Sequence, residues 1–184
     1  MSTQSKRSGP QDIWRRRILM MVIFAMMGSL MFCSRVIMAV LPNIHLLGML
    51  IMVLTLTFRW YALIPIYIYV MLDGLYLGFS VWWVPYLYIW TLLWAITMIL
   101  PKKMPKWLFC AVYPVVCSLH GFAFGILYAP AYALFFKLDW NGMLGWIAAG
   151  VVFDVTHGIS NFAVGLLIVP FTELIRKLKK QYNV

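Results

Sequence analysis

An all-α, polytopic membrane protein with six transmembrane helices and both termini in the cytoplasm is the fold class this sequence predicts, on three observations. First, 64% of the 184 residues are hydrophobic and 11% are charged, far from the roughly 25% charged content of a soluble domain. Second, the apolar residues fall into six runs, near 18–41, 44–58, 61–80, 85–100, 107–128 and 143–171. Runs of this kind are read as helices, because unpaired backbone amides cannot be solvated in hydrocarbon. Third, basic residues gather at every second junction between the runs, as a chain threaded alternately in and out requires.

The first run follows "MSTQSKRSGPQDIWRRR", a polar, basic segment at 1–17. With no small-residue cleavage site after it, this segment reads as a cytosolic lead-in and not as a signal peptide. The membrane domain covers 18–175, and 176–184 forms a basic tail. The second and third runs flank Arg59 in "TFRWYALIP". Merged, they would make one helix of about 35 residues and roughly 52 Å, against a hydrocarbon core of about 30 Å. Two crossings joined by a tight turn are expected, with a hairpin that does not fully span as the alternative. The fifth run ends before "APAYALFFKLDWNG", expected as a long outward connection, and the sixth leads into "ELIRKLKK", a snorkelling cytosolic helix end. Cys33, Cys110 and Cys117 lack zinc or redox spacing, fall within apolar runs and read as small membrane-buried side chains.

Charge supports the threading. Lys6, Arg7, Arg15, Arg16 and Arg17 precede the first run, Arg59 separates the second from the third, Lys102, Lys103 and Lys106 separate the fourth from the fifth, and Arg176, Lys177, Lys179 and Lys180 follow the sixth. These are thirteen of the fifteen Lys and Arg. Translocation bias and anionic headgroups explain the net charge of +10, so the partner it predicts is the lipid bilayer and not nucleic acid.

The outward connections "LPNIH" and "SVWWVPY" are nearly uncharged and rich in aromatic residues. For any one of Trp82, Trp83, Tyr86 or Trp140 the ordinary explanation is the interfacial belt, where amphipathic rings sit at headgroup level. Their concentration on one side with Asn43 and His45 suggests a lid over a ligand.

Ionisable groups inside the membrane mark functional sites, because each costs several kcal/mol or more to place there. At 100° per residue, Gly150, Asp154, His157, Asn161 and Gly165 share an arc of about 80° on the sixth helix. The third helix carries Tyr69, Asp73, Tyr76 and Ser80 in the same way, the fifth carries Tyr113, Cys117, His120 and Phe124, and the first contributes Arg35. With a rise of 1.5 Å per residue, Arg35, Asp73 and His120 sit about 9 to 12 Å below the outer helix ends and Asp154 about 16 Å. One reading is interhelical hydrogen bonds, including a pair between Arg35 and Asp73 or Asp154. For the whole set, a wet pocket open to the outside is the expectation.

Other chemistries fit less well. "GISN" is similar to the Gly-x-Ser-Gly of rhomboid intramembrane proteases, but its fourth position is Asn161 and Ser160 lies about 60 to 100° off the polar stripe, so no Ser–His pairing follows. Asp154 and His157 stand one turn apart, with His45 and His120 elsewhere, yet no repeated His or Cys motif points to a metal. No Gly-rich phosphate loop occurs, so any energy from nucleotide must come from a partner. Neither a catalytic role nor a resident cofactor is expected.

In its six-run plan, in "FAMMGSLMFCSRVIM", "LHGFAFGILYAP" and above all "FDVTHGISNF" with the basic tail after it, the chain resembles the substrate-binding S components of energy-coupling-factor (ECF) vitamin transporters. The resemblance implies a multi-pass protein of the bacterial cell membrane. It would capture a vitamin or related heterocyclic precursor outside and dock on a transmembrane coupling subunit driven by two cytosolic ATPase subunits. In that family an Ala-x-x-x-Ala pair on the first helix makes the docking contact; Ala25 and Ser29 hold those places, Ser29 being a departure. Small residues at this spacing let helix backbones approach closely. Within such a pocket, Arg35 would pair with a ligand carboxylate or phosphate, and Asp73 and Asp154 would accept from ring nitrogens. His120, His157 and Asn161 would orient the ligand, and Trp82, Trp83, Tyr86 and Tyr128 would stack on it. Metal-ion members of the wider group carry His directly after Met1; here Ser2 follows, which disfavours nickel or cobalt. The rival class is a membrane scaffold resembling the rod-shape-determining subunit, which needs no outer polar cavity.

Overall fold

A computed structural model describes residues 10–41, 43–101 and 104–182; Lys6, Arg7, Lys102 and Lys103 of the expected basic clusters lie outside them. Among the described residues the chain is all-helical, with α1 (Pro10–Ile37), α2 (Leu47–Phe58), α3 (Leu63–Leu77), α4 (Tyr86–Ile99), α5 (Lys106–Phe122), α6 (Phe124–Phe136), α7 (Trp140–Gly165) and α8 (Ile168–Gln181). Five stretches are long and apolar enough to cross a membrane: Gln11–Val40, Leu47–Leu77, Val81–Ile99, Lys106–Phe136 and Trp140–Gly165. Large apolar side chains stand exposed along their outer faces, among them Met26, Leu30, Leu134 and Val152. A soluble monomer rarely exposes contiguous apolar surface on this scale, so the chain has the character of a helical membrane protein.

The stretch Leu47–Leu77 is two helices. Arg59 between them adopts φ 57°, and a short 3₁₀ turn follows at Arg59–Ala62. The chain reverses there: Phe58 and Tyr61 both meet Phe24 of α1, whereas His45 before α2 and Asp73 near the end of α3 both lie by Arg35. With 12 and 15 residues, α2 and α3 are about 18 and 22 Å long, each shorter than the roughly 30 Å hydrocarbon core. These are the dimensions of the alternative hairpin. Every residue of α2 is buried. A helix apolar on all sides must be enclosed on all sides, and α2 packs against α4, α5, α7 and α8 as the central rod. Its two threonines hydrogen-bond within the helix, Thr55 Oγ1 to the Ile51 carbonyl at 2.6 Å and Thr57 Oγ1 to the Val53 carbonyl at 2.9 Å, so no hydroxyl is left unpaired.

Two expectations are corrected. "APAYALFFKLDWNG" is not a long connection: α6 carries helix through Phe136, and α7 starts at Trp140. Apolar residues supply a lipid-compatible surface that a loop with open amides could not use, and Pro130 is accommodated inside the helix. The sixth run is not one helix either. It breaks at Leu166–Leu167, and α8 then packs on α2.

Cations gather at one end. Arg59 Nη2 donates to the Met98 carbonyl at 3.1 Å, Arg176 Nη2 to the Leu56 carbonyl at 2.9 Å, and Lys106 pairs with Glu173 at 3.0 Å. Tyr182, at the end of α8, shares a cavity wall with Arg15 and Arg16 of α1. The first and last described helices therefore begin and end together.

The largest interface joins α5 and α6 to α7. Contacts pair Pro114 with Gly165, Gly121 with Gly158 and Gly125 with Asp154, a constant antiparallel register. A Cβ on Gly121 would come within 2.9 Å of both Gly158 Cα and the His157 carbonyl, so the two backbones touch there. Gly121→Val is expected to cost about 1–3 kcal/mol through overpacking. Gly145→Ala, where an added Cβ meets nothing within 4 Å, should be neutral or gain up to about 1 kcal/mol of helix propensity. Thermal unfolding in detergent separates the two; equal midpoints would mean that the seam has slack.

Candidate functional site

At the end of the bundle opposite the basic cluster, a cavity of about 200 Å³ lies between the C-terminal turn of α1, the α1–α2 connection, α3, α4, α6 and α7. Arg35, Asn43, His45, Tyr69, Tyr86, Phe124 and His157 line it with Met38, Ala39, Leu41, Ile44 and Leu47. Its roof is the short connection, in which Asn43 adopts φ 58° and offers its carbonyl to Ser160 Oγ at 3.0 Å.

The charged element of the wall is an ion pair. Arg35 Nε lies 3.2 Å from Asp73 Oδ1; the Asp73 side chain is 0% exposed and that of Arg35 23%. Asp73 sits behind Arg35, and Tyr69, which lines the cavity, stands one turn earlier on the same helix. The cavity thus meets a guanidinium whose charge is balanced from the protein side. Facing it, the His45 and His157 rings stand edge to face with centroids 4.6 Å apart. His45 Nδ1 and His157 Nε2 are buried without hydrogen-bond partners. Buried polar atoms are normally satisfied, and two open ring nitrogens beside one cavity are what a ligand or water would engage. Aromatic faces close the rest: Phe124 lies 4.9 Å from His157, and Trp90 touches Tyr86, Phe124 and His45 by ring contacts.

Of the residues expected in the site, Arg35, Asn43, His45, Tyr86 and His157 line the cavity, and Asp73 supports it. The others are engaged elsewhere. Asp154 Oδ1 accepts the Gly125 amide at 3.0 Å, holding the start of α6 after the break at Ala123, as carboxylates do at helix N-termini. Glycine is needed at 125 because a Cβ would collide with that carboxylate. His120 donates from Nε2 to the Ile89 carbonyl at 3.1 Å. Asn161 Nδ2 faces the Cys117 carbonyl at 3.4 Å, packed on Gly48 and Gly121. Trp83 Nε1 donates to the Val70 carbonyl at 2.8 Å, and the Tyr128 hydroxyl to the Trp82 carbonyl at 2.9 Å. Trp82 reaches the site only through its edge contact with Tyr86. Tyr69 and Phe124 were legible as members of the polar stripes but not as lining residues.

Ser160 Oγ lies 3.0 Å from the Asn43 and the His157 carbonyls, and neither of these bonds runs to an imidazole nitrogen. Among the described residues no group of three or more His, Cys, Asp or Glu could hold a metal ion. Ala25 and Ser29 are exposed on the outer face of α1. Comparison with known protein families, curated proteins and solved structures finds no match to this chain.

The ion pair makes a test of the wall. Arg35→Gln leaves the Asp73 carboxylate buried without its partner and is expected to cost about 3–5 kcal/mol, whereas Arg35→Met with Asp73→Leu removes both charges and recovers most of it. Denaturation of the two variants in detergent measures the difference; an equally unstable double variant would show that the pair is not what the wall depends on.

Proposed function

We propose that this protein is a membrane substrate-capture subunit that binds a vitamin-like heterocycle in the cavity beneath the α1–α2 connection and delivers it to an ECF-type coupling subunit with two cytosolic ATPases. The single observation that carries the reading is the convergence of Arg35, His45 and His157, two of them with open ring nitrogens, on one aromatic-walled cavity. Ligand sites are concave, mostly apolar and fixed by a few such polar groups. Arg35 offers its outward N–H groups to an acceptor or acid on the ligand, His45 and His157 fix its orientation, and Tyr86 and Phe124 hold its faces. The volume of about 200 Å³ suits one substituted ring, given that a cavity of about 150 Å³ takes up benzene.

In this reading the basic end faces the cytoplasm, the chain crosses the bilayer six times with α2–α3 as a short inner hairpin, and the cell is bacterial. The face of α1 bearing Ala25 and Ser29 is open and suits close approach of a partner helix.

Mass spectrometry of small molecules released from gently purified, denatured protein is expected to yield a heterocycle of this size. His157→Ala and His45→Ala should each weaken its rebinding about tenfold or more, the loss of a well-placed buried hydrogen bond. Normal rebinding by both variants would remove the cavity from the reading. Ala25→Leu or Ser29→Leu should leave binding intact and abolish uptake by cells carrying the coupling module; unchanged uptake would remove the docking role.

A further inference from the structure

A second cavity lies between α1 and α8 at the basic end, remote from the capture site. Leu19, Ile23 and Met27 of α1, Phe58 at the end of α2, and Ile175 and Leu178 of α8 enclose about 350 Å³. The walls are hydrocarbon and ring. Lys179 also lines it, with its ammonium 5.1 Å from the centroid of the Phe58 ring. Leu19 and Tyr182 also line a second space of about 230 Å³ bounded by Asp12, Arg15 and Arg16, so an apolar hollow and a basic one share a wall at this end of the bundle. Three cations there face one acid.

We propose that this cleft binds a single anionic phospholipid. An acyl chain lies between α1 and α8 against Ile23, Met27 and Phe58, and the phosphate sits at Arg15, Arg16 and Lys179. Each part of the cleft matches one part of that molecule. An apolar slot buries chain methylenes, and each basic side chain near the surface attracts an anionic headgroup. The position agrees, since the cleft opens where the apolar faces of α1 and α8 give way to their basic residues. Residues 1–9 of this chain carry Lys6 and Arg7 and no acid, so like charge disfavours them as the occupant. The bound lipid would bridge α1 and α8 and thereby brace α8 where it packs on α2.

The test is native mass spectrometry of the full chain released from detergent, titrated with phosphatidylglycerol or phosphatidylcholine of identical palmitoyl and oleoyl chains. Wild type is expected to bind one phosphatidylglycerol about tenfold or more tightly than phosphatidylcholine, the preference that two or three effective basic contacts supply. Arg15→Gln with Arg16→Gln and Lys179→Gln should reduce phosphatidylglycerol to the phosphatidylcholine level. Ile23→Trp, which fills the slot and leaves the cations, should weaken both lipids. Glycerol 3-phosphate at equal concentration should not displace the lipid, which separates a lipid site from a site for free phosphate. Equal binding of the two lipids by wild type, an unchanged preference in the triple variant, unchanged affinity in Ile23→Trp, or displacement by glycerol 3-phosphate would each overturn the proposal. So would a dimer that forms in place of lipid binding, which would assign the cleft to a second copy of the chain.

Discussion

The backbone contact between α5 and α7 at Gly121 and Gly158 is the constraint from which the rest of the arrangement follows. In lipid no hydrophobic force draws one apolar helix to another, so association depends on close van der Waals packing and interhelical hydrogen bonds. Small residues allow the approach, and Ser118 Oγ adds a bond across it to the Gly158 carbonyl at 2.8 Å. With that register fixed, Asp154 falls opposite the Gly125 amide, Asn161 opposite Cys117, and His157 between them, turned toward His45. The site is a consequence of how closely two helices pack one turn away.

The other half of the site depends on a buried ion pair. Separating charges from water is costly, and a pair in a low-dielectric interior offsets that cost only with good geometry. Here Asp73 is fully enclosed and Arg35 is not, an asymmetry that leaves the cation on the cavity side. The arrangement holds Arg35 in place at the end of α1 while leaving part of its donor set uncommitted. Together with the open nitrogens of His45 and His157, the cavity is rich in directional groups yet walled by rings, a combination that favours a flat polar ligand over a purely apolar one.

All five acids lie where a cation, amide or other polar group answers them. Asp73 meets Arg35, Glu173 meets Lys106, Asp139 caps α7 through the Gly142 amide at 2.8 Å, Asp154 holds the Gly125 amide, and Asp12 borders one space with Arg15 and Arg16. Of these only Asp73 adjoins the cavity, through its pair with Arg35. Intramembrane charge is therefore a sound pointer to importance but not, on its own, to ligand contact: Asp154, as deep as any, stabilises a helix break.

Composition and periodicity by themselves determined that the chain is helical and apolar, where its basic residues collect, that Arg59 marks a reversal, and that Arg35, Asp73 and His157 are turned inward. These features follow from local or additive properties: hydropathy, the 3.6-residue repeat and the expense of placing charge in hydrocarbon. Tertiary structure alone decided which member of a stripe meets which neighbour. Asp154, His157 and Asn161 share one face of α7, yet a rise of about 4 to 6 Å between successive members carries each to a different partner on α6, the α1–α2 connection or α5. The continuation of helix through Pro130 and the break at Leu166–Leu167 were likewise illegible, because an apolar segment with a proline reads equally well as a turn or as a kinked helix until its neighbours are placed. The apolar hollow between α1 and α8 has no linear signature at all, since its walls come from opposite ends of the chain and from the end of α2.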